Sequence, residues 1–209
     1  MKKKGSVFIA LGIVMILGAF LLTGYNVLDS LRAERAAAAE AEALRAKLEE
    51  AAAEALDNFT IDEKPLYVRY PDMKMPEIEI DGVKYVGMLS VPGLGLELPV
   101  KGEFSMAGLR TAPCRYAGSV YKDNMIICGH NYSSHFGSLK NIKVGDGVEF
   151  TDGDGNVFDY VVSDIAQLDG SDVSGMTEKQ EDDSWDMTLF TCTLSGSQRV
   201  TVRLLRIEQ

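Results

Sequence analysis

A cysteine, a histidine and an arginine mark the ends of three strand-like segments in this chain of 209 residues. "TLFTC" ends at Cys192, "NMIICGH" ends at His130 and "RVTVRLLR" begins at Arg199. A thiol needs a nearby base to act as a nucleophile, and an imidazole can be that base. A guanidinium can lower the thiol pKa or stabilise a carbonyl oxyanion. Taken singly, each residue is more simply read as structural, but together they favour acyl transfer by a cysteine.

The short spacing in the sequence predicts that Cys192 and Arg199 lie close together. Only "TLSGSQ" separates them, so an antiparallel hairpin would make them close neighbours. Arg203 shares a strand face with Arg199 but lies about 13 Å further along, at about 3.3 Å per residue. It is therefore the poorer candidate. His135 lies in "YSSHFGSL", which indicates a loop or a short helical turn.

Short apolar segments from Val83 onward, broken by Gly, Asp and Asn, predict an all-β barrel or sandwich. "TDGDGN", residues 151–156, has the Asp-Gly chemistry of a hairpin turn. A calcium loop is disfavoured, because Ser163 stands where the twelfth-position glutamate belongs. The polar, acidic stretch 166–185 is predicted to be a long loop, and such loops are often functional.

The N-terminus predicts a membrane anchor. Lysines at positions 2–4 precede Gly5–Leu28, a stretch with no formal charge that is long enough to cross a bilayer as a helix. A cleaved signal peptide is the alternative, but its apolar region is usually shorter and ends at a small-x-small site. Because lysines stay on the cytoplasmic side, residues 1–28 predict a single-pass anchor with the N-terminus inside and the rest of the chain outside.

Residues 29–57 are rich in Ala and Glu without Gly or Pro, and predict a helical stalk. Leu44 and Leu48 belong to a thin apolar stripe, so a coiled-coil dimerisation seam stays open as an alternative. Residues 58–82 contain three prolines and form a predicted connector. The β domain is expected over residues 83–209.

Charge and cysteine content exclude several functions. The formal net charge is −10, which does not suit nucleic-acid binding. The cysteines, at positions 114, 128 and 192, are odd in number, so an exported chain would keep at least one thiol free or paired to another molecule. The absence of a C-x-x-C pair argues against a zinc ribbon. We expect no cofactor and no metal.

These motifs resemble the sortases, membrane-anchored cysteine transpeptidases of Gram-positive bacteria. The family signature T-L-x-T-C matches "TLFTC", the family G-H step matches "CGHNY", and the family arginine on the last strand matches Arg199. "VGMLSVPGLGLELPV" resembles the first strand pair of the family and "LKNIKVGDGVEFTDGDGNVFDYVV" its middle hairpin. The resemblance spans about residues 83–208. It implies a small closed β-barrel of about eight strands with short helices.

The resemblance also implies roles for individual residues. Cys192 would be the nucleophile, His130 the general acid and base, and Arg199 the support for oxyanion and substrate. Thr191 and Asn131 would help to bind substrate. The enzyme would cleave an LPxTG-like sorting signal of a surface protein through a thioacyl intermediate, and an amine of a cell-wall precursor or pilin would resolve it. The 166–185 loop would border the substrate groove.

Some features depart from the family pattern or leave alternatives open. The connection from Cys192 to Arg199 is shorter than in many sortases, which leaves the subclass uncertain. Residues 58–81 show no evident lid motif of the pilin-type enzymes, which slightly favours an anchoring, class B-like enzyme. Cys128 lacks the TLxTC context of a nucleophile, and a Cys114–Cys128 disulfide stays open. The functional alternative is a non-catalytic anchored β domain that binds surface partners. An L,D-transpeptidase is disfavoured, because its S-x-G-C context is missing.

Overall fold

The computed structural model describes residues 2–57, 64–179 and 184–207. Within these residues, nine strands form the β domain and three α-helices accompany them. The strands are β1 (Ile78–Ile80), β2 (Val83–Val91), β3 (Leu96–Lys101), β4 (Cys114–Ala117), β5 (Met125–Gly129), β6 (Gly147–Asp152), β7 (Val157–Asp169), β8 (Met187–Cys192) and β9 (Gln198–Arg206). The helices are α1 (Lys2–Asp57), α2 (Leu66–Arg69) and α3 (Val173–Thr177).

Eight of these strands close into a barrel. The sheet runs in the order β1-β2-β3-β4-β5-β8-β9-β7-β6, and β6 pairs back onto β2. Strand β1 lies outside the ring and pairs only with β2 among the described strands. Closure leaves no open sheet edge in the ring, which is how small β domains avoid edge-to-edge association. The predicted all-β barrel of about eight strands is confirmed.

Alternation of apolar and polar residues explains the β6–β7 hairpin. Phe150 and Phe158 face each other across the pair and are buried in the barrel core, whereas Glu149 is exposed on the other face of β6. The "TDGDGN" segment is the predicted hairpin turn: Asp152 N–H donates to Asn156 O at 3.0 Å, and Asn156 N–H donates to Asp152 Oδ1 at 2.9 Å. The Asp152 carboxylate also accepts a hydrogen bond from Tyr121 Oη at 2.7 Å. Its oxygens are thus used within the turn and the core.

Helix α1 carries the uncharged N-terminal stretch. From Val7 to Leu28 its large apolar side chains are exposed, and the segment is long and apolar enough to cross a membrane. So large an exposed apolar surface is typical of a membrane-facing or partner-facing helix. This helix fits the predicted anchor and stalk.

Beyond the uncharged stretch, α1 lies against the barrel. Leu44 and Leu48 are buried in a cluster with Tyr85 and Met88 of β2. The apolar stripe expected to line a stalk, or alternatively a coiled-coil seam, is therefore covered by the chain's own β domain. At the rim of this contact Arg45 forms an ion pair with Glu97, and Lys101 forms one with Glu40 at 3.4 Å.

The structure shifts some predicted boundaries. Strand β1 lies within the predicted connector 58–82. Residues 58–63 of that connector and residues 180–183 of the predicted 166–185 loop lie outside the described part of the chain. Strand β7 runs to Asp169, into the predicted 166–185 loop, because residues 166–169 pair with β9. Helix α3 occupies part of what remains. Strand β4 was not among the predicted segments; it pairs with β5 and by one residue with β3.

Candidate active site

Strands β5 and β8 place His130 and Cys192 side by side. They run parallel as neighbours, with Gly129 paired to Thr191 in register. His130 follows Gly129 and Cys192 follows Thr191, so both residues emerge at the same edge of the barrel. The structure thus places both residues at the barrel rim, and their catalytic roles stay a prediction.

The glycine before His130 is required by packing. A Cβ at Gly129 would lie 2.6 Å from ring atoms of Phe136, closer than real contacts allow. Phe136 is fully buried, and its N–H donates to His130 O at 3.2 Å. The room at Gly129 therefore serves this aromatic ring, which holds the loop after β5 against the barrel.

The imidazole of His130 is covered on one face and open on the other. Its ring stacks on Tyr132 with centroids 4.0 Å apart and planes within 3° of parallel. Partial burial lowers the pKa of His130; the Asp29 carboxylate opposes this shift and the Arg110 guanidinium adds to it. The histidine thus favours its neutral form, the form that can accept a proton.

Only one of the three cysteines is exposed. Cys192 is open to solvent, whereas Cys114 and Cys128 are buried, and all three carry free thiols. Cys114 and Cys128 lie directly opposite each other across β4 and β5. Burial raises the pKa of Cys128 to about 12, with further contributions from Cys114. A buried thiol with so high a pKa is a poor nucleophile, which leaves Cys192 as the reactive candidate.

Arg199 faces Cys192 across the β8–β9 pair. Its Nη1 donates to Gly196 O at 2.9 Å and to Gln198 O at 3.1 Å, so the guanidinium is held by the turn between the strands. Arg203, the poorer candidate, is committed elsewhere: it donates to Gly175 O and Met176 O and to the Thr188 hydroxyl. The structure therefore brings Arg199, rather than Arg203, to the thiol.

Two clefts meet at Cys192. The first, of about 280 Å³, is mainly apolar and contains His130 and Arg199; the second, of about 370 Å³, has a larger polar share. Asn131, Thr191 and Cys192 line both. The first cleft is completed by Phe104, Met106, Leu109, Tyr116, Cys128, Gly129, Gly170, Val173, Met176, Thr177 and Phe190. The second is completed by Ser133, Phe136, Gly137, Lys140, Gln167, Thr193, Leu194 and Val200.

Thr191 is nearly fully buried between these clefts. Its hydroxyl donates to Gly129 O at 2.9 Å and so ties β8 to β5 just before the two candidate catalytic residues. This hydroxyl is occupied within the fold. Asn131, by contrast, is partly exposed and borders both clefts. The substrate-binding role expected for each stays a prediction.

His135, predicted to lie in a loop or a short helical turn, is completely buried at the start of a short 3-10 helix, Phe136–Asn141. Neither ring nitrogen makes a hydrogen bond of normal geometry within the described part of the chain. Burial lowers its pKa to about 4, with a smaller contribution from nearby His130. Tyr132 and Asp29 were not predicted as functional residues from the sequence. The "HNY" order places Tyr132 two residues after His130, but no local pattern connects Asp29 with the site.

Metal binding finds no support at this site. Among the described side chains, no group of three or more His, Cys, Asp or Glu residues could hold a metal ion together. The chemistry available here is that of a thiol, an imidazole and a guanidinium beside two clefts.

Comparison with known proteins identifies the family. Residues 89–206 match the Sortase domain family. The chain belongs to the sortase family. It is similar to Sortase A of Bacillus anthracis, with 23% identity over 196 residues that cover 90% of this chain and 88% of the relative.

Solved sortase structures share the fold. Sortase C of Streptococcus pneumoniae has a TM-score of 0.54 and 23% identity, covering 78% of this chain and 90% of the neighbour. Sortase A of Corynebacterium diphtheriae has a TM-score of 0.53 and 18% identity, covering 86% and 93%. Sortase D5 of Clostridium perfringens has a TM-score of 0.53 and 17% identity, covering 78% and 99%. These neighbours come from several classes, so the class B-like assignment stays a prediction.

Membership of the family settles the general activity. This sortase is a cysteine transpeptidase of cell-wall sorting, and sortases are membrane-anchored enzymes that act on sorting-signal substrates and pilins. The apolar segment of α1 fits such an anchor.

Proposed function

We propose that Cys192, His130 and Arg199 carry the transpeptidase reaction. The observation that supports this most strongly is the strand register: Gly129 pairs with Thr191, and Cys192 pairs with Arg199. One thiol therefore lies between an imidazole on the neighbouring parallel strand and a guanidinium on the neighbouring antiparallel strand. This combination is what nucleophilic acyl transfer requires.

The first half-reaction forms the thioacyl enzyme. Neutral His130 first takes the proton of the Cys192 thiol. The resulting thiolate attacks the carbonyl carbon of the scissile peptide bond in an LPxTG-like signal, and Arg199 stabilises the negative charge that develops on the carbonyl oxygen. The C–N bond then breaks, and the leaving amine takes a proton from the His130 imidazolium. The products are a thioester on Cys192 and a neutral imidazole.

The second half-reaction resolves the thioester. An amine of a cell-wall precursor or a pilin attacks the thioester carbonyl and gives its proton to neutral His130. The C–S bond breaks, which restores the Cys192 thiolate and the imidazolium. Each half-reaction moves one proton, so a single imidazole serves both.

The anchor gives this site its place in the cell. The lysines at positions 2–4 favour an N-terminus on the cytoplasmic side, so the single-pass chain presents its β domain outside. The partners are surface proteins with a C-terminal sorting signal. A membrane-impermeant maleimide added to intact cells should label Cys192 if the β domain is outside. Labelling only after lysis would show that the domain lies inside and would refute the proposed orientation.

The reaction is tested with the full chain in lipid nanodiscs, a panel of fluorogenic LPxTG-like peptides and triglycine as the amine. We expect cleavage, ligation and a thioester on Cys192 detectable by mass. Cys192→Ala should abolish all three signals, whereas the matched control Cys128→Ala should retain them. Turnover that survives in Cys192→Ala would refute the assignment of the nucleophile.

A further inference from the structure

A hydrogen bond joins the anchor helix to the candidate active site. Tyr132 Oη donates to Asp29 Oδ2 at 2.6 Å, although 103 positions separate the two residues in the chain. The same tyrosine ring stacks on His130 with centroids 4.0 Å apart. Three residues thus form a continuous connection from helix α1 through an aromatic ring to the imidazole.

The tyrosine is held firmly at its backbone as well. Tyr132 O accepts hydrogen bonds from His135 N–H at 3.0 Å and from Gly137 N–H at 2.8 Å. Its ring also meets the buried His135 edge-on, with centroids 5.5 Å apart. Only the hydroxyl end of the side chain lacks support from this loop, and Asp29 supplies it.

Asp29 occupies a defined position on the helix. It is the first charged residue after the uncharged stretch Gly5–Leu28, and so lies where α1 would leave the membrane. One turn further on, Ala33 and then Ala37 are buried. The helix is therefore already seated on the protein next to Asp29, which limits the movement of its carboxylate.

The helix supports the site without filling it. The residues that line the two clefts at Cys192 come from the barrel and its loops, and none of those described belongs to α1. Tyr132 itself lines neither cleft. The contact therefore acts on His130 from outside both clefts and adds no side chain to their lining.

We propose that Tyr132 and Asp29 are positioning residues, which hold the His130 imidazole in the orientation needed for its two proton transfers. The inference rests on the proposed role of His130 as general acid and base. An imidazole on a loop can turn about its side-chain bonds, and small misplacements of a catalytic group cost rate steeply. A parallel ring tied at its far end to a seated helix restricts that rotation.

The charge of Asp29 adds a second effect on His130. The groups that face the imidazole are Asp29 from α1, Arg110 from the 3-10 helix Gly108–Arg110, Tyr132 and His135 from its own loop, and Cys192 from β8. Asp29 raises the pKa of His130, opposing burial and Arg110. Removal of this charge with retention of the hydrogen bond separates the electrostatic effect from the positional one.

The experiment uses the full chain in nanodiscs with an LPxTG-like peptide that it cleaves. Tyr132→Phe keeps the stacked ring but loses the tether, and Asp29→Ala removes the acceptor. We expect each variant to lower kcat about tenfold with little change in KM. The double variant should be no slower than either single one, because both remove the same contact. Asp29→Asn keeps an acceptor oxygen and should recover most of kcat.

A matched control tests whether the loss of any contact between α1 and the barrel would lower kcat. Arg45→Ala breaks the exposed Arg45–Glu97 ion pair of the same helix at a distance from His130. It should leave kcat unchanged. An equal loss of kcat in Arg45→Ala, or unchanged kcat in both Tyr132→Phe and Asp29→Ala, would overturn the proposal.

An activity-independent readout separates this inference from the proposed function. The chain has two histidines, so ¹³C-histidine labelling gives a simple NMR titration in nanodiscs, with His130→Gln used for assignment. Asp29→Asn should lower the pKa of His130, and Tyr132→Phe should broaden or shift its ring signal. If these changes occur in a chain that cleaves no peptide, the proposed substrate fails and the contact stands. If wild-type and variant titrations coincide in an active chain, the contact fails alone.

Discussion

Cys192 and Arg199 are directly opposed residues of the β8–β9 pair, and the six-residue connection between them also provides the carbonyl oxygens that hold the guanidinium. Directly opposed side chains in an antiparallel pair lie within contact range. A charge fixed beside the thiol in this way can act on an oxyanion without reorganising first.

The loss of activity when Arg199 is replaced should therefore depend on the geometry of the new side chain as well as on its charge. Arg199→Ala should lower kcat/KM by about 10²–10³. Arg199→Lys should recover only a small part, because the guanidinium has further N–H donors in a fixed plane beside the Nη1 that bonds Gly196 O and Gln198 O, whereas an ammonium has one nitrogen. Steady-state kinetics with a cleaved peptide measure both. Full activity in Arg199→Lys would show that positive charge alone suffices.

Thr191 offers a test of the register that unites His130 and Cys192. Thr191→Val removes the hydroxyl that donates to Gly129 O and leaves a buried carbonyl without this partner. We expect a loss of about 1–3 kcal/mol in stability together with lower kcat. Thr191→Ser keeps the donor and should stay close to wild type in both. Thermal unfolding measures the stability of the two variants, and steady-state kinetics measure their kcat. Equal stability and equal kcat in Thr191→Val and Thr191→Ser would mean that the hydrogen bond is unimportant.

The thiols should differ sharply in reactivity. In the folded chain, iodoacetamide should alkylate Cys192 and spare Cys114 and Cys128, since these two are buried and burial raises the pKa of both. Denaturant should make all three react. Intact-mass analysis counts the adducts, and Cys192→Ala provides the control. Rapid labelling of Cys128 in folded Cys192→Ala would contradict the burial of that strand face.

Acidification should destabilise the fold through His135. Burial lowers the pKa of this residue to about 4, whereas an unfolded histidine takes up its proton near 6.5. The unfolded chain therefore binds the extra proton first, so stability is unaffected at neutral pH and falls as the pH drops through this window. The full loss amounts to roughly 3 kcal/mol.

The comparison is made by thermal unfolding of the full chain between pH 7.5 and pH 4.5. Trp185, the single tryptophan, is buried and reports the transition by fluorescence. His135→Met removes the titrating ring and should flatten the pH dependence relative to wild type. An unchanged slope in His135→Met would assign the acid sensitivity to other groups, such as His130.

Local sequence determined much of this protein. The uncharged segment before Asp29, the Ala-rich helix, the apolar strand segments and the Asp-Gly turn each depend on nearby residues, so their existence could be predicted without a structure. The family followed from "TLFTC", "CGH" and Arg199 in order, and the candidate site residues could be chosen for the same reason. Strand ends were less well predicted, because β7 continues to Asp169 only through pairing with β9.

Tertiary structure decided what no local pattern contains. The parallel register of β5 and β8, which aligns His130 with Cys192, arises from closure of the barrel across residues far apart in the chain. The burial of Leu44 and Leu48 against β2 depends on a surface formed by other strands, so the sequence could not distinguish a free stalk from a packed helix. The contact of Asp29 with Tyr132 has the same origin. Periodicity shows which face of a helix is apolar, but the partner of that face is chosen only when the whole chain packs.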